Sequence, residues 1–148
     1  MGSLAASTTT SLGKYLVTPR KFEIKHVELP EPLEDEVQIV PRSVTLCGSD
    51  LHYFLHGRNG SITVKEPLCL GHECAGEIVK IGASIKGLAI GDRVAVECGV
   101  PCSDCEVCSE GRYNLCPRLR FRSSGSAFPH YQGTLQEAIN HPARWTHK

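Results

Sequence analysis

Four cysteines, Cys102, Cys105, Cys108 and Cys116, stand at C-x2-C-x2-C-x7-C spacing within CGVPCSDCEVCSEGRYNLC, and no other feature constrains the chain as tightly. Ligands so spaced converge on one centre only if the backbone turns repeatedly, which Gly99, Pro101 and Gly111 allow. Four thiolates at the corners of a tetrahedron suit Zn2+, which accepts sulfur at about 2.3 Å and imposes no geometry of its own. A shell closed by four protein ligands leaves no position for a reactant, so the predicted site is structural. Such sites contribute on the order of 10 kcal/mol to folding, and loss of one ligand is expected to unfold the lobe.

Eight cysteines in 148 residues would equally supply disulfides in an oxidising compartment. The opening MGSLAASTTTSL lacks the charged start and apolar stretch of a secretory signal, which favours a reducing cytosol and metal binding. Cys69, Cys74 and Cys98 fall outside the spacing and are expected to be buried as small hydrophobes. Sixteen basic and sixteen acidic residues cancel without forming a basic face, which argues against nucleic acid as a partner. No apolar run approaches the roughly 18 residues of a membrane span. The sequence therefore predicts a soluble, cytoplasmic protein.

Short alternating runs, KFEIKHVEL, VQIV, EIVKI and DRVAV, read as strands separated by Gly- and Pro-containing turns. Pro41 makes its strand an edge or a bulged one. In SDLHYFLHG, Ser49 or Asp50 can cap a short helix that turns Leu51, Phe54 and Leu55 inward and stops at Gly57. The predicted class is all-β with short helices, a barrel or sandwich. Residues 1–13 are expected to form a disordered tail and residues 14–148 a single domain, the size of the chain allowing no second one.

A second constellation joins Cys47, in TLCGSDLHYF, to the adjacent pair His72 and Glu73, in LGHECAGEIVKIGASIKGLAIGDRV. Thiolate, imidazole and carboxylate are three ligand types that zinc prefers, and an incomplete protein shell leaves room for a reacting oxygen. A His-Glu-x-x-His protease motif is ruled out, because Gly76 occupies the second histidine's place.

Gly71, His72, Glu73, Gly76, Gly82 and Ile85 meet the G-H-E-x-x-G signature of the zinc-containing medium-chain alcohol and polyol dehydrogenases, and the chain resembles that family over about residues 14–148. The CGSD-x-H-Y motif, the cysteine lobe and GTLQEAINHPARW are most similar to arabinitol, xylitol and sorbitol dehydrogenases of fungi. The resemblance implies a GroES-like β-barrel carrying a zinc lobe. It implies that Cys47 and His72 bind a catalytic zinc, with Glu73 as a ligand or as a partner through water. It further implies Ser49 as the proton-relay hydroxyl, His52 as a relay histidine, Asp50 as the carboxylate orienting a zinc ligand, and Tyr53 and Phe121 as walls of the substrate pocket. The implied reaction oxidises the secondary alcohol of a sugar alcohol to a ketose, zinc acting as Lewis acid and NAD as hydride acceptor.

The chain also departs from that pattern. No Gly-x-Gly-x-x-Gly dinucleotide turn occurs in it, and it stops before the further glutamate with which polyol members complete the catalytic zinc. SSGSAFPHYQG replaces a Thr-Pro-Pro-rich loop, and Cys98 stands where polyol members often have proline. The expectation is a catalytic domain lacking its cofactor domain and inactive alone, the alternative being a truncated, non-catalytic zinc-binding module. Exposed apolar surface is expected, and its cover is left open between a second copy of the chain and a partner supplying the cofactor domain.

Overall fold

Alternating sequence becomes alternating burial where the strands pair most extensively. The computed structural model describes residues 9–148. Three long strands come first, β1 (Thr9–Thr18), β2 (Lys21–Leu29) and β3 (Glu36–Thr45). Helix α1 (Gly48–His56) follows, then the short β4 (Arg58–Asn59), β5 (Ile62–Thr63) and β6 (Leu68–Cys69) and the long β7 (Glu73–Ile81). β8 (Arg93–Val96) and β9 (Gly99–Val100) lead into the cysteine-rich loop, which holds the single-turn α2 (Glu106–Ser109) and a 3-10 turn over Tyr113–Leu115. β10 (Arg120–Phe121), β11 (Ile139–Pro142) and β12 (Thr146–His147) complete the order.

Five strands form the main sheet in the order β11-β3-β7-β8-β12, and β2-β1-β6 form a second sheet. Every strand pairing among the described residues is antiparallel. The class is thus mainly β with short helices, as the alternation required. Pro41 lies in β3 beyond the β11 ladder, which ends at Ile39, so it is paired on the β7 side alone, and a register shift between Pro41 and Ser43 accompanies it. β1 already begins at Thr9, paired to Leu29, so the expected tail does not extend over residues 9–13; the rest of that expectation lies outside the described residues.

Cys74, Gly76 and Ile78 of β7 point inward, as do Val94 and Val96 of β8. They close a core with Val37, Ile39, Cys98 and Ile139, while Leu16, Tyr53, Leu68 and Leu70 make a second core beneath α1. Gly82 ends β7 where an added Cβ would lie 2.0 Å from the Leu33 carbonyl oxygen, so no larger residue fits against that loop. Cys69, Cys74 and Cys98 are buried as expected, and burial pushes the Cys69 and Cys98 thiols up to about 12. No helix of the described residues is long and apolar enough to cross a membrane.

The helix differs in detail from its sequence reading. Cys47, not Ser49 or Asp50, is the N-cap, and the N–H of Gly57, at φ 66°, closes the other end on the Tyr53 carbonyl. Asp50 and Tyr53 face inward, whereas Leu51 is 56% exposed. The buried side is set by the polar anchor of Asp50 rather than by apolar spacing alone.

One buried polar knot ties the main sheet to the segment after β10. Arg122 Nε donates to His141 Nδ1 at 3.0 Å, its other nitrogens donate to the Gln132 and Asn140 carbonyls, and its guanidinium lies 4.4 Å from the centre of the Tyr131 ring. His141 Nε2 in turn meets the Glu97 carbonyl at 3.1 Å. Burial, with Arg122 adding to it, pushes the His141 imidazole down to about 3. The unfolded chain therefore takes up a proton near pH 6.5 that the folded chain refuses until about pH 3, and stability must fall as pH drops through that window. The expected slope is about 1.4 kcal/mol per pH unit. Urea unfolding at pH 6 and pH 4 should show wild type losing roughly 2 kcal/mol more than His141→Gln across the interval; equal losses would contradict a neutral His141.

Candidate metal centres

Two groups of metal-ligating side chains converge. In the lobe the sulfurs of Cys102, Cys105, Cys108 and Cys116 all lie within 4.8 Å of one another. Four of the six separations are 3.4 Å (Cys105–Cys108 and Cys102–Cys116), 3.8 Å (Cys105–Cys116) and 3.9 Å (Cys102–Cys108). A disulfide would need about 2.05 Å, whereas a tetrahedron with metal–sulfur bonds of about 2.3 Å has edges of about 3.8 Å. The sulfurs fit the metal and not a cross-link. Ser103 (φ 65°) and Gly111 (φ 78°) make the reversals that bring the ligands together.

Little else holds the lobe. Neither α2 nor the 3-10 turn contributes a buried residue, and within the loop Cys116 and Pro101 alone are buried. Its ties to the body are the β9–β10 ladder at its base and the Tyr113 ring, whose centre lies 4.9 Å from that of Trp145.

The second group is Cys47, His72 and Glu73, likewise within 4.8 Å. The β3–β7 ladder assembles it: Thr45 pairs with Glu73, so the chain leaving β3 delivers Cys47 beside the residue that enters β7. The Thr45 hydroxyl donates to the exposed Glu73 carboxylate. Gly71, at φ 89° and with no room for a Cβ beside Val44, turns the chain so that its N–H faces Asp50.

Asp50 is 2% exposed and gathers the site. Its Oδ2 accepts the Cys47 N–H at 3.1 Å, its Oδ1 accepts the Gly71 N–H at 3.2 Å and the Ser123 hydroxyl at 2.6 Å, and His72 Nδ1 stands 3.4 Å from Oδ1. Burial alone would raise the Asp50 carboxyl, but these neighbours together hold it below the usual carboxylate range. Asp50 also pushes the His72 imidazole up to about 9 against the effect of burial. The Ser49 N–H, then the Ser49 hydroxyl, then His72 hold the Cys47 thiol below its ordinary range. With Nδ1 turned to a carboxylate, Nε2 is the nitrogen left for a metal, the arrangement of a carboxylate–histidine–metal triad. The donor set suits zinc.

Other expected residues divide. Phe121 lies beside the site, its ring centre 5.3 Å from that of His72. His52 is exposed, 6.0 Å ring to ring from His56, and takes no part in the cluster. Tyr53 is 3% exposed, and its hydroxyl accepts the Gly125 N–H at 3.2 Å. Its phenol is the anchor of a loop, which the likeness to polyol enzymes did not anticipate. Ser123 was not anticipated either, since it meets Asp50 only in the folded chain. The cleft, about 500 Å³, is walled by Phe22, Leu46, Leu51, Phe54, Leu70 and Leu135.

The family model described as the alcohol dehydrogenase GroES-like domain matches residues 33–148. The chain belongs to that family. This GroES-like domain is 52% identical over 123 residues to sorbitol dehydrogenase of Bacillus subtilis, covering 81% of the chain and 35% of the relative. It is 39% identical over 145 residues to sorbitol dehydrogenase of Bos taurus, covering 98% and 40%. Among solved structures, L-idonate 5-dehydrogenase of Escherichia coli superposes with a TM-score of 0.83 at 26% identity, over 96% of this chain and 40% of that one. The domain spans 35–40% of the length of these relatives.

Cys105→Ser tests the lobe. The variant is expected to lose the tightly held zinc and to unfold at the lobe, read as a shift in the fluorescence of Trp145, the chain's only tryptophan. One equivalent of zinc retained against chelator, with unchanged fluorescence, would contradict the assignment.

Proposed function

We propose that this GroES-like domain is the catalytic domain of an NAD-dependent polyol dehydrogenase, acting in the cytoplasm to oxidise a sugar alcohol to a ketose. The convergence of Cys47, His72 and Glu73 beside an apolar cleft carries the reading. Cys102, Cys105, Cys108 and Cys116 would hold a structural zinc, and Cys47 and His72, with Glu73 as ligand or neighbour, a catalytic one. Zinc there supplies Lewis acidity toward a secondary hydroxyl, and a nicotinamide supplies the hydride acceptor.

The chain's own residues do the rest. Asp50 orients His72, and the β3–β7 ladder fixes Cys47 against it. The walls of the cleft are mostly apolar, and covering its open side would exclude water and strengthen polar interactions within it. Ser49, half-buried beside Cys47, takes the substrate proton, and the exposed His52 on the same helix passes it to solvent. Phe121 bounds the substrate on the His72 side. The likeness to sorbitol dehydrogenases favours a polyol over a simple alcohol.

No dinucleotide fingerprint occurs in the 148 residues, and no parallel strand pair among the described ones. The cofactor is therefore proposed to sit on a doubly wound unit other than these residues, against the open cleft. The same observation favours one other reading, a zinc-binding module without turnover.

Joining the chain to the cofactor domain of a sorbitol dehydrogenase separates the two. The fusion should produce NADH from sorbitol, xylitol or arabinitol, and Cys47→Ala or His72→Ala should cut the rate by roughly a hundredfold or more. A folded, zinc-loaded fusion that binds NADH yet oxidises none of the three would leave the non-catalytic module.

A further inference from the structure

Three donors crowd one oxygen of a buried carboxylate. Asp50 Oδ1 accepts from the Ser123 hydroxyl at 2.6 Å and from the Gly71 N–H at 3.2 Å, while His72 Nδ1 waits 3.4 Å from the same atom. A carboxylate oxygen offers about two acceptor sites, and the two closed bonds fill them. His72 Nδ1 is accordingly buried without a hydrogen bond. The other oxygen gives no relief, being turned to the Cys47 N–H at 3.1 Å.

We propose that Ser123 is a positioning residue that competes with His72 for Asp50 and so loosens the grip of the Cys47–His72 centre on its metal. The proposal rests on reading that centre as a zinc site. Ser123 is 2% exposed and sits at φ 63°, a left-handed conformation that serine rarely adopts. The backbone is held there by bonds on either side: the Ser123 N–H donates to the Tyr131 carbonyl at 2.9 Å and the Arg122 N–H to the Cys98 carbonyl at 3.0 Å. That conformation aims the hydroxyl at Asp50.

A carboxylate fully engaged with a ligand histidine makes the imidazole a stronger metal donor. Dividing Oδ1 among three donors withholds that strength. Asp50 keeps one backbone N–H on each oxygen without Ser123, so its orientation survives loss of the hydroxyl, and the freed acceptor site passes to His72. A loosened grip suits a centre whose remaining ligand positions must exchange.

Two variants separate the hydroxyl from the backbone strain: Ser123→Gly removes both, whereas Ser123→Ala removes the hydroxyl and keeps the strain. Zinc affinity at the Cys47–His72 centre is measured on the whole chain by chelator competition, the lobe metal being retained, and Co2+ absorption reports the thiolate–metal bond. Both variants should bind zinc about three- to tenfold more tightly than wild type, with a matching shift of the cobalt bands. In an Asp50→Ala background, which removes the shared acceptor, Ser123→Gly should change nothing. Unchanged or weaker binding in Ser123→Gly, or a gain that persists with Asp50→Ala, would overturn the proposal alone. A metal content that Cys47→Ala leaves unaltered would overturn the zinc reading of the centre and the proposal with it.

Discussion

A single buried carboxylate holds together the parts of this domain that chemistry would use. Asp50 sits at the third position of α1, yet its partners lie on three separate stretches of chain: the Cys47 N–H at the helix start, the Gly71 N–H and His72 before β7, and the Ser123 hydroxyl after β10. An ionised group this deeply buried is tolerable only where hydrogen bonds replace water, and Asp50 has them on both oxygens. The helix is thereby docked, the turn at Gly71 is fixed, and the imidazole of His72 is directed at the Cys47 side. Removing the carboxylate would release all three at once.

The two candidate centres ask different things of the fold. The body of the domain has two apolar cores, one within the main sheet and one beneath α1, and would stand without any metal at Cys47. The lobe has no such core, and its four sulfurs, spaced as tetrahedral ligands are, must themselves be the cross-link. A zinc bound in the lobe is thus a folding element, while one bound at Cys47 and His72 is a guest of a structure already made. The Tyr113 ring against Trp145 is where the first kind of order reaches the second.

What could be read from the sequence follows from how local each feature is. The lobe was legible because its ligands fall within one loop, and the Gly71-His72-Glu73 signature because its residues are adjacent. The pairing of Cys47 with His72 was accessible through family likeness, since the ladder that joins Thr45 to Glu73 leaves no local trace. Ser123 lies 73 residues from Asp50, and the Arg122–His141 bond spans 19, so neither partner choice leaves a pattern in the sequence. Tyr53 could be read either way, because a tyrosine on a helix beside a site can serve a pocket or anchor a loop, and its bond to the Gly125 N–H shows only in the folded chain. Thr9 to Gly13 read as a tail because Ser and Thr are common in both tails and strands, and the ladder to β2 settles it.

Zinc-edge anomalous scattering from crystals of the zinc-loaded chain tests the central claim most directly. Two peaks are expected, one at the centre of the Cys102, Cys105, Cys108 and Cys116 sulfurs and one between the Cys47 thiol and His72, with Asp50 on the far side of the imidazole. A single peak in the lobe, or a second one away from Cys47 and His72, would contradict the account.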